Sequence, residues 1–224
     1  MISKALNNRI VLINKEVGPT SHDIVVRVRK MTGVKRVGHA GTLDPFAEGL
    51  LIVLIGREST KRQSEFLHMD KGYEAVLHFG ASSTTDDCTG DITPAKGATP
   101  PSQEELESVL HSCIGEHEQL PPAFSAKKIK GKKAYELARK GITPELSRKK
   151  ITIHSIDLLN YSWPLATIRV HVSSGTYIRA LARDIGTTLS CGAYLEKLKR
   201  TSIGPYKLED AINVLSITKD GVSL

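Results

Sequence analysis

One carboxylate, Asp44, stands in the stretch GHAGTLDPFAEGLL (Gly38–Leu51) among glycines, small residues and a proline. Gly38, Gly41 and Gly49 permit unusual backbone angles and the close approach of a large ligand. Pro45 fixes the turn and withholds one backbone donor beside the carboxylate. The apolar run LLIVLI behind the loop anchors it. A carboxylate so placed suits nucleophilic or acid–base work. It equally suits an Asx turn, in which an aspartate accepts N–H bonds from its own loop. These residues alone support both readings.

Other chemistries lack their residues. Gly33–His39 (GVKRVGH) has no G-K-[ST] for a phosphate loop. The acidic run DDCTGD fails the EF-hand template, with Thr89 at its third position and Ile92 where the turn glycine belongs, and reads as a surface turn. The eight histidines form no H-E-x-x-H pair, GEHEQ (Gly115–Gln119) reads as a polar loop, and no G-x-S-x-G elbow occurs. What this elimination leaves is a protein without metal or bound nucleotide.

The net charge is +7, and its place matters more than its size. Between Lys127 and Lys150 stand ten basic residues against two acidic ones, which accounts for the whole excess. A block of this kind is the electrostatic footprint expected for a polyanion, with nucleic acid ahead of a merely solvated surface run. Three widely spaced cysteines, Cys88, Cys113 and Cys191, exclude a disulfide scaffold and suit a reducing compartment. No signal-peptide core opens the chain, and its longest aliphatic run is six residues, far short of a membrane span. A soluble cytoplasmic protein is expected.

The elements that must position these residues can be read in outline. Arg9–Ile13 reads as a strand, and Ser21 as the cap of a helix to about Met31 with Ile24, Val25 and Val28 inward. Leu50–Ile55 is a buried strand or helix segment. Lys71–Phe79 alternates, with Tyr73, Ala75, Leu77 and Phe79 on one face. Gly80–Pro101 reads as a long loop. Ser102 and Glu105 form a capping box for a helix to Cys113. A short helix is expected at Ala134–Lys140, stopped by Gly141. Strands at Ile151–Leu159 and Thr167–Val172, a helix at Thr176–Leu189, a strand near Leu195–Ile203 and a helix around Glu209–Leu215 complete the chain. With no regular βαβ rhythm, the fold class expected is α+β, with a mixed, mostly antiparallel sheet flanked by helices and loops.

Six ordered blocks resemble the TruB-type tRNA pseudouridine synthases. They are INKEVGPTSHDIV, GHAGTLDPFAEGLL, KGYEAVLHFG with TTDDCTGD, PPAFSAKKIKGKKAYELARKG, SSGTYIRALARDIG and GAYLEKLKRTSIGPY, covering most of the chain. The resemblance implies the pseudouridine synthase fold and the isomerisation of a uridine, uridine-55 of the TΨC loop of tRNA, with the base flipped from its stack. It makes Asp44 the nucleophile. Tyr73 matches the residue that stacks on the flipped uracil and can act as a base, and Arg179 the arginine that pairs with the aspartate, holding it ionised. Arg183, one turn later, reads as an ordinary helix-surface arginine. Tyr177 and Leu198 match residues lining the uridine pocket, His39 one that helps hold the target loop, and Lys61 a basic binding residue near the site.

The same resemblance makes residues 121–150 a basic insertion closing over the T-loop. There Lys127, Lys128, Lys130, Lys132, Lys133 and Arg139 would pair with phosphates. The partner implied is tRNA, with no membrane and no obligatory protein, for a monomer of one catalytic domain over residues 1–224. Many members continue into a C-terminal PUA-like domain, and this sequence ends at Leu224, so weaker tRNA binding with a shallower salt slope is expected. Where the family often has K-P-x, this chain has Lys15, Glu16 and Val17. Rival readings are a non-catalytic RNA-binding or tRNA-folding protein, and a synthase acting on another RNA.

Overall fold

A computed structural model describes residues 8–124, 128–129, 132–133 and 146–217. It divides into two compact units, Met1–Tyr73 with Leu198–Leu224, and Glu74–Lys197.

In the first unit, β1 (Arg9–Lys15) pairs antiparallel with β3 (Glu48–Ile55), Ile13 facing Leu51. The opposite edge of β3 is shared. β2 (Val37–Ala40) pairs with its second half, and β12 (Ala193–Ile203) meets its start in a parallel contact, Arg200 opposite Gly49. Both faces of β3 are covered. Leu51, Val53 and Ile55 pack with Ile24, Val25 and Val28 of α1 (Ser21–Thr32), whereas Leu50, Ile52 and Leu54 pack with Phe66 and Ile203. A strand buried on both sides reads as a continuous apolar run, which is why LLIVLI has no period.

Gly49 sits where β3 and β12 touch. It has φ +104°, and a Cβ there would meet the Arg200 carbonyl oxygen at 2.4 Å. Only glycine satisfies both demands. Helix α1 is capped by Thr20, one residue before the expected Ser21. The Thr20 hydroxyl accepts the Asp23 N–H at 3.0 Å, and the Asp23 carboxylate accepts the Thr20 N–H at 2.8 Å. Two short helices follow β3, α2 (Arg57–Lys61) and α3 (Gln63–Leu67). The expected last helix is instead two 3₁₀ turns, Leu208–Asp210 and Val214–Ser216. Between them the Ile212 N–H bonds the Leu12 carbonyl at 3.0 Å, and the Asn14 N–H bonds the Ile212 carbonyl at 2.9 Å, so pairing with β1 keeps the segment extended.

The second unit is built on β4 (Lys71–Phe79), β11 (Leu165–Val172), β10 (Lys149–Ser162) and β7 (Gly115–Gln119), hydrogen-bonded in that order. The alternation expected of β4 is present, with Tyr73, Ala75, Leu77 and Phe79 buried. GEHEQ, expected as a polar loop, is the edge strand β7, paired antiparallel with β10. Gly80–Pro101 holds a small hairpin of β5 (Ala81–Ser83) and β6 (Ile92–Pro94). Helix α4 (Gln103–Ser112) carries the expected capping box between Ser102 and Glu105. Helix α5 (Ile178–Thr188) begins two residues later than expected, Tyr177 being its N-cap. Here too β8 (Lys128–Ile129) pairs with β9 (Lys132–Lys133), whereas β13 (Tyr206–Lys207), which pairs with the end of β12, belongs to the first unit. The class is α+β, with a mostly antiparallel sheet, as the sequence implies. No helix among the described residues is long and apolar enough to cross a membrane.

Candidate active site

The loop between β2 and β3 is pinned residue by residue around Asp44. The Ser21 hydroxyl accepts the Leu43 N–H at 2.9 Å and donates to the Leu43 carbonyl at 3.1 Å. The Gly18 N–H bonds the Pro45 carbonyl at 2.8 Å, and the Ala47 N–H closes a turn on the Asp44 carbonyl at 3.1 Å. Leu43 and Ala47 are buried on either side of the half-exposed Asp44. Ser21, expected to cap its helix, therefore holds the Asp44 loop.

Two buried cations flank this loop in the same unit. Lys15 is 0% exposed, and its Nζ donates to the carbonyls of Glu16 at 2.8 Å and Pro19 at 3.0 Å, with the Pro45 carbonyl at 3.5 Å. Burial lowers its pKa to about 8, and Arg200 adds to that, while Asp44 and Glu48 pull the other way. Arg200 is 1% exposed, and burial lowers its pKa too, against an electrostatic interaction with Tyr73. His39, on β2, is held neutral further down the pH scale, first by burial and then by Arg200 and His22. Its Nδ1 is buried without a hydrogen-bond partner, while its carbonyl accepts from Gln63 Nε2 at 2.7 Å.

The depressed Lys15 pKa has a measurable consequence. The unfolded chain, with an ordinary lysine pKa of 10.5, binds more protons than the folded one between about pH 8 and 10.5, so stability rises with pH across that window. The expected gain from this group is about 2 kcal/mol between about pH 7 and pH 9.5. Urea unfolding of the wild type and Lys15→Met at both pH values should show the gain in the wild type only. Parallel pH dependences would refute it.

In the second unit, α5 carries Arg179 and Arg183 towards the loop after β5. Arg179 donates through Nη1 to Asp87 Oδ2 at 3.1 Å and the Thr85 carbonyl at 3.0 Å, and through Nη2 to the Phe124 carbonyl at 3.0 Å. The side chains of Arg179 and Asp87 are 7% and 4% exposed. Asp87 Oδ1 also accepts from Thr85 Oγ1 at 2.7 Å and the Thr89 N–H at 3.0 Å. Arg183 is no free surface arginine, because it pairs with Asp86 at 2.8 Å and donates to the Leu120 carbonyl at 2.9 Å. Burial raises the Asp86 pKa against the pull of Arg183 and Arg179. DDCTGD, which reads as a surface turn, is thus an anchored acidic clamp. Gln119 fixes the entry to α5, its side chain accepting the Tyr177 N–H at 2.8 Å and donating to the Tyr177 carbonyl at 3.0 Å.

Of the expected site residues, the first unit holds His39, Asp44, Lys61, Tyr73 and Leu198, and the second Tyr177 and Arg179. Arg200 relates the Asp44 loop to Tyr73, and Leu198 lies two residues before it on the same face of β12, 8% exposed. Lys61 pairs with Glu58 at 3.0 Å on the exposed helix α2. Lys127, Lys130, Arg139 and the expected helix Ala134–Lys140 lie outside the described residues. Lys128, Lys132 and Lys133 are described only as backbone in β8 and β9. Among the described residues, no group of three or more His, Cys, Asp or Glu could hold a metal ion. The residues that sequence reasoning missed are Lys15 as a structural cation, Arg200, Asp87 and Gln119. The only signal for Arg200 was a basic residue inside a predicted strand.

Residues 29–178 match the model of the TruB family pseudouridylate synthase N-terminal domain, and residues 179–220 that of the tRNA pseudouridylate synthase B C-terminal domain. A tRNA pseudouridine synthase B of Protochlamydia amoebophila is 46% identical over 204 residues, 91% of this chain and 77% of that one. Its counterpart in Chlamydia pneumoniae is 43% identical over 208 residues, 93% and 88% of the two chains. Among solved structures, one of a Cbf5–Nop10–Gar1 complex aligns with TM-score 0.73 and 26% identity, over 92% of this chain and 52% of that one. An H/ACA RNP bound to a substrate RNA containing 2′-deoxyuridine aligns with TM-score 0.69 and 26% identity, over 92% and 51%. This chain thus spans about half the length of those two structural relatives.

Proposed function

The chain belongs to the TruB family of pseudouridylate synthases, and from that premise we propose that it isomerises uridine-55 in the TΨC loop of tRNA to pseudouridine, with Asp44 as nucleophile. The observation that supports this best is the backbone-pinned Asp44 loop, held in one unit with Tyr73. A preorganised carboxylate needs no rearrangement before it meets the sugar–base unit.

In this reading the target uridine leaves its stack and lies against Tyr73, lined by Tyr177 and Leu198. Asp44 enables cleavage of the N1–C1′ bond. The base turns, C5 bonds to C1′, the C5 proton leaves to a base, a role Tyr73 can fill, and N1 takes up a proton. Arg179 supplies the catalytic guanidinium, His39 and Lys61 contribute to holding the RNA, and the basic insertion with Lys127, Lys128, Lys130, Lys132, Lys133 and Arg139 meets its phosphates. The protein works in the cytoplasm as a single catalytic domain, without cofactor or obligatory protein partner.

The test is a TΨC stem-loop RNA carrying tritium at C5 of every uridine. One equivalent of tritium should be released, from a single loop uridine located by mapping the modified position. Binding without release, on whole tRNA as well as the stem-loop, would leave a non-catalytic RNA-binding protein.

A further inference from the structure

Arg200 is among the largest side chains wholly buried in the protein, and the chemistry above gives it no part. Its guanidinium donates through Nε to the Leu50 carbonyl at 2.8 Å and through Nη2 to the Gly41 carbonyl at 2.9 Å. Gly41 is the first residue after β2 and Leu50 lies just inside β3, so these two carbonyls bracket the segment carrying Asp44. Tyr73, in the same unit, is an electrostatic neighbour of this guanidinium and favours its charged form.

We propose that Arg200 is a positioning residue, whose planar guanidinium holds both ends of the Asp44 loop in one rigid frame. The inference rests on the catalytic reading of Asp44 and Tyr73 given above. The backbone around it is built for the purpose. At Gly49 the two strands approach so closely that no Cβ fits, which fixes the root of the Arg200 side chain. At Gly41, with φ +83°, the position of a Cβ lies 3.4 Å from Arg200 Nη1, so the loop passes directly over the guanidinium. Filling the volume does not require an arginine, since a buried charge can often be replaced by an apolar side chain of similar size without loss of stability. Reaching two separate carbonyls at fixed angles does require the rigid fork, which a lysine ammonium lacks.

Arg200→Lys and Arg200→Met separate these roles. Both variants should bind the stem-loop RNA with a Kd within about twofold of wild type, while kcat falls about 100-fold, as a small misplacement of reacting groups does. In both, the amides of Leu43 and Ala47, which close the loop, should exchange with deuterium at least about tenfold faster, while those of β1 keep their protection. Wild-type kcat in either folded variant, or a parallel fall in kcat, RNA affinity and β1 protection, would reduce Arg200 to core filling. If Arg200→Met does not fold, Arg200→Lys decides alone. A wild-type protein that releases no tritium would overturn the catalytic reading. The exchange measurement would still decide whether Arg200 clamps the loop.

Discussion

Asp44→Asn is expected to bind the TΨC stem-loop within a few-fold of wild type and to isomerise it at least about 10⁴-fold more slowly, the scale of loss when a nucleophile is removed. The substitution keeps size and shape and removes charge and nucleophilicity. The loop should survive, because the bonds from Ser21 and Arg200 go to the backbone of Leu43 and Gly41 and not to the carboxylate. The electrostatic neighbourhood shifts in a known direction. Asp44 raises the Lys15 pKa, so its neutralisation lowers that pKa further. Single-turnover tritium release with filter binding checks both halves of the expectation. Release near the wild-type rate would remove Asp44 from the mechanism.

Asp87→Ala should be the most damaging single change in the second unit. It removes one anion from a pair whose side chains are 7% and 4% exposed, so the Arg179 charge is less compensated in a dry site. Breaking a buried pair from one side costs about 3–5 kcal/mol. The Arg179 bonds to the Thr85 and Phe124 carbonyls remain, which places the loss at the low end. A loss of about 3 kcal/mol corresponds to a fall in Tm of roughly 6–12 °C for a chain of this size. The double variant Asp87→Leu with Arg179→Met removes both charges and should recover most of that stability while staying inactive. Recovery of activity with stability would make the pair structural only. An unchanged Tm in Asp87→Ala would show that solvent already compensates the arginine.

What the sequence made legible were elements whose own residues decide their structure. Ser102 and Glu105 satisfy each other across one helical turn, and Lys71–Phe79 alternates because one face is buried, so both could be read locally. GEHEQ could not. Glu116, His117 and Glu118 are all exposed on an edge strand, and only its partner β10 makes it a strand. Residues 209–215 have helical propensity, yet Ile212 is held extended by backbone bonds to Leu12 and Asn14. That is tertiary pairing overriding local preference.

The site divides the same way. The glycines and proline around Asp44 left both of its readings open, while the resemblance of six blocks identified the family correctly. Lys15 and Arg200 stayed hidden, because a basic residue in a strand ordinarily faces water, and nothing in LEKLKRTSIG says that this one faces carbonyls 150 positions away. Arg183 misled for the related reason that its partner, Asp86, lies in a different block.

The Arg200–Leu50 bond also constrains the order of events during synthesis. Its two ends are 150 residues apart in the chain. A ribosome adding about 5–20 residues per second needs roughly 8 to 30 seconds to cover that distance. Throughout that interval the Asp44 loop has already been made while the strand that fastens it does not yet exist. A nascent chain can therefore expose the aspartate without the fastened frame around it, and the frame closes only once β12 has been made.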